Sequence, residues 1–430
     1  MKIGFASLGC AKNLVDSEEI MGMLQANGHE IVSNPARADA VIVNTCGFIN
    51  PAKEESIETI FDMLRKCSNV IVVGCLAQRY EKELREEIPE VKAVIPLHDY
   101  DRLPEILAPL LEQKIALKPY EKDDRALSGK PYSAYVKISD GCSNHCTYCA
   151  IPLIRGEQSS KFLSEVREEV EILASRGVSE ITLIAQDTTK YGLDNYGRLM
   201  LGELIRQLDE IEGIHWIRIL YMYPDEICDD VLQAMKESSK VVPYFDIPMQ
   251  HANDRLLKKM NRRGTKEDAL ALIRKIRKMF PEATLRTTLI VGFPSETEDD
   301  FQELLDFVKE VGWDRLGAFT YSKEEDTAAS TMQPEVEESV ALDRLDRLMA
   351  VQKEISARKN LEKVNKVIEV LVEEREPLTG RYRGRTAADA PDEVDGQVIF
   401  TSDQELKAGM YVPIRIIDAA QYDLIGIYEG

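Results

Sequence analysis

Short apolar runs, each followed by a segment with helical spacing, recur along most of this chain, and cysteines stand just past several of them. Alternation of that kind builds parallel sheets, because parallel neighbours need a long crossover, usually a helix, between them. Near the start, Lys2–Ser7, Ala40–Asn44 and Asn69–Val73 predict strands. Between them, Ile20, Met23 and Leu24, then Ile57, Ile60, Phe61 and Leu64, follow the i, i+3, i+4, i+7 rhythm of helices. Cys10, Cys46 and Cys75 each fall just beyond one of these strands. Ligands of open α/β sheets gather outside the carboxyl ends of the strands. Any one of these cysteines alone would read as a small buried hydrophobe; three at one edge make a candidate metal site.

A longer alternation follows. Strands are expected at Ala134–Ser139, Glu180–Ala185, Ile214–Tyr221, Pro243–Ile247, Thr284–Val291 and Arg315–Tyr321. Helical patterns separate them: Val166/Val170/Leu173, Leu201/Leu204/Ile205/Leu208, Ala269/Ile273/Ile276 and Phe301/Leu304/Leu305/Val308. Six such units make an incomplete (β/α) barrel, two short of the usual eight. Just after its first strand comes Asp140-Gly-Cys142-Ser-Asn-His-Cys146-Thr-Tyr-Cys149, a Cys-x3-Cys-x2-Cys run. That position is the C-terminal mouth, where barrel enzymes keep their chemistry. Three thiolates do not close a four-coordinate zinc site. They can hold three irons of a 4Fe–4S cube and leave the fourth iron open to a ligand.

The 430 residues are too many for one ordinary domain, and length alone suggests about three. The expected divisions are an α/β domain over 1–116, a polar linker over 117–131, the partial barrel over 132–335, a connecting helix over 336–360 and a small β-barrel over 361–430. In the connecting helix Leu342, Leu345, Leu348, Met349 and Ile355 are expected to face inward. In the last segment, strands at Val367–Val372, Gly380–Arg385, Gln397–Thr401, Tyr411–Asp418 and Leu424–Tyr428 suggest five strands closing on themselves. No apolar run approaches the ~20 residues that cross a bilayer, and the chain is expected to be cytoplasmic. Eight cysteines in such a chain point to metal binding or catalysis rather than disulfides. The net charge of −21 makes nucleic acid a poor partner, since phosphate binding needs a basic footprint. It suits a basic protein partner, whose approach it would steer, or simply keeps the protein soluble.

Gly141 and the triplet after it, placed behind the first barrel strand, resemble the radical S-adenosylmethionine superfamily. The flank from Cys142 through Ala150-Ile-Pro-Leu-Ile-Arg-Gly156 is similar to its methylthiotransferase branch. The first cysteine set and the terminal barrel resemble the same branch, so the likeness spans the chain. The fold it implies is a flavodoxin- or Rossmann-like α/β domain, an open (β/α)6 partial TIM barrel and a small OB-like TRAM barrel. It implies two 4Fe–4S clusters, one on Cys142, Cys146 and Cys149, the other on Cys10, Cys46 and Cys75. The first would chelate S-adenosylmethionine through its open iron, and the second would carry the sulfur to be inserted. One S-adenosylmethionine would methylate that sulfur and another would supply the 5′-deoxyadenosyl radical. An electron donor such as flavodoxin or ferredoxin, and a sulfur source, are also implied.

Within the branch, Ser7-Leu-Gly-Cys10-Ala11-Lys12-Asn13 and Cys46-Gly-Phe-Ile-Asn-Pro-Ala-Lys-Glu-Glu-Ser56 look like the RimO subfamily. That subfamily methylthiolates the β-carbon of an aspartate in small-subunit ribosomal protein uS12. The alternative is the MiaB subfamily, which acts on isopentenyladenosine in tRNA. Outside the branch stand an iron–sulfur electron carrier or RNA-binding scaffold and a zinc-stabilised RNA-binding module. The resemblance also implies cofactor contacts: Tyr148 and, past the fifth strand, Ile290 and Gly292 near the adenine, and Gln186 near the methionine amino group. Ala185-Gln186-Asp187-Thr188 stands where the superfamily commonly has Gly-Gly-Glu. Arg155 and Gln250 face the same mouth by position and are candidates for substrate carboxylates. His145 and His251 read as solvated or structural, and Cys67 and Cys228 as structural thiols.

Overall fold

The computed structural model describes residues 1–391 and 395–430. Strands β1 (Lys2–Ser7), β2 (Glu30–Val32), β3 (Ala40–Thr45), β4 (Val70–Gly74) and β5 (Ala93–Ile95) form one parallel sheet in the order β2-β1-β3-β4-β5. Every residue of β3 and β4 is buried. Helices cover both faces, and such strands read as unbroken apolar runs. The two edge strands are additions to the three expected. At three residues each they are too short to show a period.

The partial barrel is built from β6 (Ser133–Lys137), a short ribbon of β7 (Ser139–Asp140) and β8 (Ser159–Ser160), then β9 (Glu180–Ile184), β10 (Trp216–Ile219), β11 (Tyr244–Asp246), β12 (Thr284–Val291) and β13 (Arg315–Thr320). Parallel pairing runs β6-β9-β10 and β11-β12-β13. A single parallel bridge between Ile217 and Val241 links the two halves. Helices Leu163–Ser175, Leu201–Asp209, Asp229–Glu237, Lys266–Met279 and Glu298–Val311 pack outside, around one core that includes Val136, Leu183, Phe245, Leu289 and Phe307. Helix Asp229–Glu237 is absent from the sequence expectation.

Helix Glu338–Leu361 leaves the barrel. Leu348 and Ile355 face inward as expected and Leu345 packs partly on the barrel core, while Ala341, Arg344 and Gln352 are buried beside them. Leu342 is 48% exposed. Arg344 is drawn in by buried Glu296 at 3.0 Å, and Gln352 gives its amide N–H to the Trp313 carbonyl at 3.0 Å.

The last strands, β14 (Val367–Arg375), β15 (Tyr382–Thr386), β16 (Val398–Thr401), β17 (Tyr411–Ala419) and β18 (Leu424–Tyr428), close a barrel in the order β14-β15-β16-β18-β17. It sits against the strand N-termini of the partial barrel, opposite the mouth. Arg385 pairs with Glu180 at the start of β9, and Arg315 at the start of β13 pairs with Asp389. The Tyr244 hydroxyl donates to Asp395 at 2.6 Å, and Arg218 donates to the Ala387 carbonyl at 2.8 Å. Charged side chains thus fill the floor, each with a partner from the terminal barrel.

The first sheet presents its strand C-termini to the mouth. On the β6 side, Asp16 accepts from Lys137 and Arg155. On the β13 side, Glu324 is held by Lys53 at 2.9 Å and Arg79 at 2.7 Å. The stretch 117–131 is itself packed in: Arg125, 3% exposed, pairs with Glu18 and Glu169, both at 2.7 Å.

Glu180 makes the floor sensitive to acid. Burial pushes its carboxyl up, but Arg385, Arg218 and the Ser133 hydroxyl outweigh burial and hold it at about 2, below the ordinary 4.5. A folded pKa below the unfolded one means stability fully present above about pH 4.5 and lost as pH falls toward 2. Denaturation midpoints measured across that window should fall steeply for the native chain and less steeply for Glu180→Gln. At neutral pH, Arg385→Met strands a buried carboxylate and should cost roughly 3–5 kcal/mol in urea unfolding.

Candidate functional site

Cys10, Cys46 and Cys75 stand at the carboxyl ends of β1, β3 and β4, which are adjacent in the sheet. Cys10 is the N-cap of helix Ala11–Ala26, Cys46 directly follows β3, and Cys75 opens helix Cys75–Arg79. A Cβ built on Gly9 would lie 2.9 Å from the Cys46 Cβ and 3.2 Å from its sulfur, so the first two loops touch. The thiols differ in character. Burial raises Cys75 to about 12 and also raises Cys46. At Cys10 burial pushes up, yet the Lys12 ammonium, N–H groups of Asn13 and Lys12, and Arg155 outweigh it, and the thiol ends lower than usual. Cys10 is exposed although protein surrounds it, as expected of a residue lining a cleft.

Cys142, Cys146 and Cys149 occupy the loop after β7 at the barrel mouth, each partly exposed. Gly141 has φ +69 and a Cβ there would run into the Glu157 backbone, so the loop needs glycine at its entry. The Cys142 N–H donates to the Gly156 carbonyl at 3.0 Å, closing the loop on itself. Thr147 ties it to the wall through N–H···O contacts with Met260 at 3.1 Å and from Ala329 at 2.8 Å. Arg262 lies 3.9 Å from the Cys146 sulfur and stacks 3.8 Å over the Tyr223 ring, whose hydroxyl is 3.8 Å from the same sulfur. Burial raises Cys142, and raises Cys149 to about 12.

The two triplets are neighbours. Cys75 packs in one cluster with Ala150 and Ile154, which follow Cys149. Lys12, two residues past Cys10, places its ammonium 3.6 Å over the ring of Tyr221 beyond β10, a cation–π contact across the cleft. Arg155 donates to Asn13 Oδ1 at 2.7 Å, Asp16 at 2.8 Å and Asp140 at 2.7 Å. Burial works against Asp140's charge, but Lys137 and Arg155 outweigh it and hold that carboxyl well below the usual range.

The other expected residues sit as follows. Gln186 follows β9 and donates its amide to Asp140 at 3.3 Å, while its carbonyl oxygen is buried without a partner among the described residues. Tyr148 packs against Leu256, Met260, Phe293 and Ala329. Ile290 donates its N–H to the Gln250 carbonyl, and Gln250 donates to Thr288, both at 2.8 Å. Gln250 has φ +69, and its side-chain amide has no hydrogen-bond partner among the described residues. Gly292, φ +74, gives its N–H to Glu296. Arg155 is 3% exposed at its side chain, with both terminal nitrogens engaged. His145 is exposed beside Glu157 at 3.3 Å, and His251 is buried against Glu296 at 3.2 Å. Cys67 caps helix Asn50–Lys66, with its sulfur 3.7 Å from the Ala38 carbonyl. Cys228 caps helix Asp229–Glu237 and packs on the barrel core.

Lys12, Asn13, Asp16, Asp140, Tyr223 and Arg262 were not singled out from sequence. Lys12 and Asn13 adjoin Cys10, and Asp140 adjoins Cys142, and these could have been; Asp16, Tyr223 and Arg262 meet the site through tertiary contacts. As a seat for iron–sulfur cubes, the donors fit: each triplet supplies three thiols, all free, backed by cations and backbone N–H groups. Among the described residues no His, Cys, Asp or Glu group closes on a single ion; in a cube each thiolate meets its own iron. The orphaned Gln186 oxygen suits an ammonium group. No helix among those residues is long and apolar enough to cross a membrane.

Known proteins bear likenesses to the whole length. Family models match at residues 2–96 (Uncharacterized protein family UPF0004), 136–308 (Radical SAM superfamily) and 364–428 (TRAM domain). The ribosomal protein uS12 methylthiotransferase RimO of Clostridioides difficile is 47% identical, over 100% of this chain and 99% of that protein. RimO of Pelotomaculum thermopropionicum is 48% identical over 99% of each. Among solved structures, the radical S-adenosylmethionine methyltransferase TsrM of Kitasatospora setae, with cobalamin and a [4Fe-4S] cluster bound, superposes with a TM-score of 0.56 at 14% identity. That match covers 75% of this chain and 72% of TsrM. The cobalamin-dependent enzyme OxsB gives 0.51 at 11% identity, over 83% and 56%. At those identities the likeness is one of fold.

The unlike thiols of the metal-free protein can be ranked by timed alkylation and peptide mass mapping. At pH 7 Cys10 should react first among the six, since reaction needs the thiolate and access. Cys75 and Cys149 should react last, with protection fading as the protein is unfolded.

Proposed function

The chain belongs to the RimO family of ribosomal protein uS12 methylthiotransferases, and from that membership we propose that it methylthiolates the β-carbon of an aspartate in uS12. The observation that supports this reading most is the pairing of two cysteine triplets across one cleft, joined through Arg155 and packed together at Cys75, Ala150 and Ile154. One triplet would suffice for an enzyme that only cleaves S-adenosylmethionine. A second, within reach of it, suits a sulfur-inserting one.

Cys142, Cys146 and Cys149 would hold one 4Fe–4S cluster and Cys10, Cys46 and Cys75 another. When bound, the clusters and S-adenosylmethionine supply one-electron chemistry and a methylated sulfur, by which a C–H bond gives way to C–S–CH3 where acids and bases cannot act. Gln186 would accept a hydrogen bond from the amino group of S-adenosylmethionine through its unpartnered oxygen. Tyr148, Ile290 and Gly292 would line the adenine side. Gln250, with its amide unengaged at the mouth, would meet the substrate aspartate. Lys12 and Arg262 would keep positive charge beside the two thiolate sets. An acidic surface, −21 overall, suits a basic ribosomal protein in the cytoplasm. A flavodoxin- or ferredoxin-like donor and a sulfur source would complete the reaction.

Anaerobic incubation of the reconstituted chain with uS12 and, separately, with tRNA should give a gain of CH3S for H on one uS12 aspartate and none on tRNA. Modified tRNA with unmodified uS12 would overturn the substrate. Cys142→Ala should abolish deoxyadenosine formation, and replacing Cys10, Cys46 and Cys75 together should leave deoxyadenosine formation but remove methylthiolation and half of the iron.

A further inference from the structure

We propose that Arg155 is a positioning residue that the loop of one cluster supplies to the other: it locks the two triplets together and sets the reduction potential of the cluster on Cys10, Cys46 and Cys75. The proposal rests on the two-cluster reading above.

By sequence, Arg155 belongs to the second triplet, at the end of the short helix Ile151–Arg155 that follows Cys149. Its guanidinium nevertheless turns to the first sheet. One terminal nitrogen donates to Asn13 Oδ1 at 2.7 Å and to Asp16 at 2.8 Å, and the other to Asp140 at 2.7 Å. Asn13 Oδ1 lies 3.4 Å from the Cys75 sulfur. The Asn13 amide is fixed from behind, donating to the Leu8 and Thr45 carbonyls at 3.0 Å each. Asn13 thus links the guanidinium to the Cys75 thiol through one shared oxygen.

A guanidinium forks rigidly and stays charged at any working pH. A cation one hydrogen-bonded residue away from a ligand sulfur stabilises the more negative, reduced cluster over the oxidised one, and cluster potentials follow net charge and hydrogen bonding around the sulfurs. A purely structural ion pair is the competing account. Lys137 already reaches both Asp16 and Asp140, so the two acids keep a cation between them without Arg155. What Arg155 alone adds is the reach to Asn13 and Cys75. A substrate contact is the other competing account; the side chain, 3% exposed, is turned instead toward Asn13, Asp16 and Asp140.

The test uses the full chain with Cys142→Ser, Cys146→Ser and Cys149→Ser, so that only the first triplet can hold iron, reconstituted anaerobically. Iron per chain is measured first, then the cluster midpoint by a redox titration followed by electron paramagnetic resonance. Arg155→Gln should shift the redox equilibrium toward the oxidised cluster by about tenfold, ~59 mV for a one-electron couple, and Arg155→Lys should recover part of it. Asp16→Asn, which unshields the same guanidinium, should move the midpoint the other way and serves where Arg155→Gln fails to fold. Iron retained with an unmoved midpoint in Arg155→Gln and Asp16→Asn would overturn the proposal alone. A background chain holding no iron would overturn the two-cluster reading, and the proposal with it.

Discussion

The ion-pair lattice of Arg155, Asp16, Lys137 and Asp140 holds the first sheet against the mouth of the partial barrel, and the cleft between them exists because of it. Asp16 and Arg155 are buried, Asp140 lies at the edge, and each acid touches both cations. Buried charges are costly unless paired and hydrogen-bonded; Lys137 and Asp140 are near neighbours in the chain, but Asp16 meets both cations only when the first sheet is docked on the barrel. Asn13 and Gln186 extend the lattice toward Cys75 and toward the second strand of the barrel. A network of this kind specifies one geometry more than it adds stability. It keeps the two cysteine triplets at a fixed separation.

At the opposite end the terminal barrel closes the floor with another set of buried pairs, Glu180 with Arg385 and Arg315 with Asp389. A six-strand barrel leaves its first and last strands unpaired and its floor open. The first sheet straddles the seam on the mouth side, through Asp16 near β6 and Glu324 near β13. The terminal barrel fills the base. Lys12, Tyr221 and Gln250 stand at the cleft between the first sheet and the mouth.

Much of the architecture was legible because the strands that matter are long or wholly apolar: Thr284–Val291 and Lys2–Ser7 match the expectation to the residue. The failures share a cause. Edge strands Glu30–Val32 and Ala93–Ile95 are too short to carry a pattern. In helix Glu338–Leu361 the true stripe contains Arg344 and Gln352, polar residues that no hydrophobic template selects, because their burial depends on Glu296 and on the Trp313 carbonyl.

Sequence by itself determined the chemistry available: six cysteines, each just beyond a strand, on scaffolds whose strand ends gather ligands, because spacing along the chain decides which residues share a loop. What each neighbouring side chain does was left to the tertiary structure. Arg155, six residues beyond Cys149 in the chain, spends its charge on the other triplet, since direction and partner depend on how separate segments pack. The unequal thiols of Cys10 and Cys75 have the same origin. Both are cysteines at a strand's end, and only the distribution of cations and solvent around them in three dimensions makes them different acids.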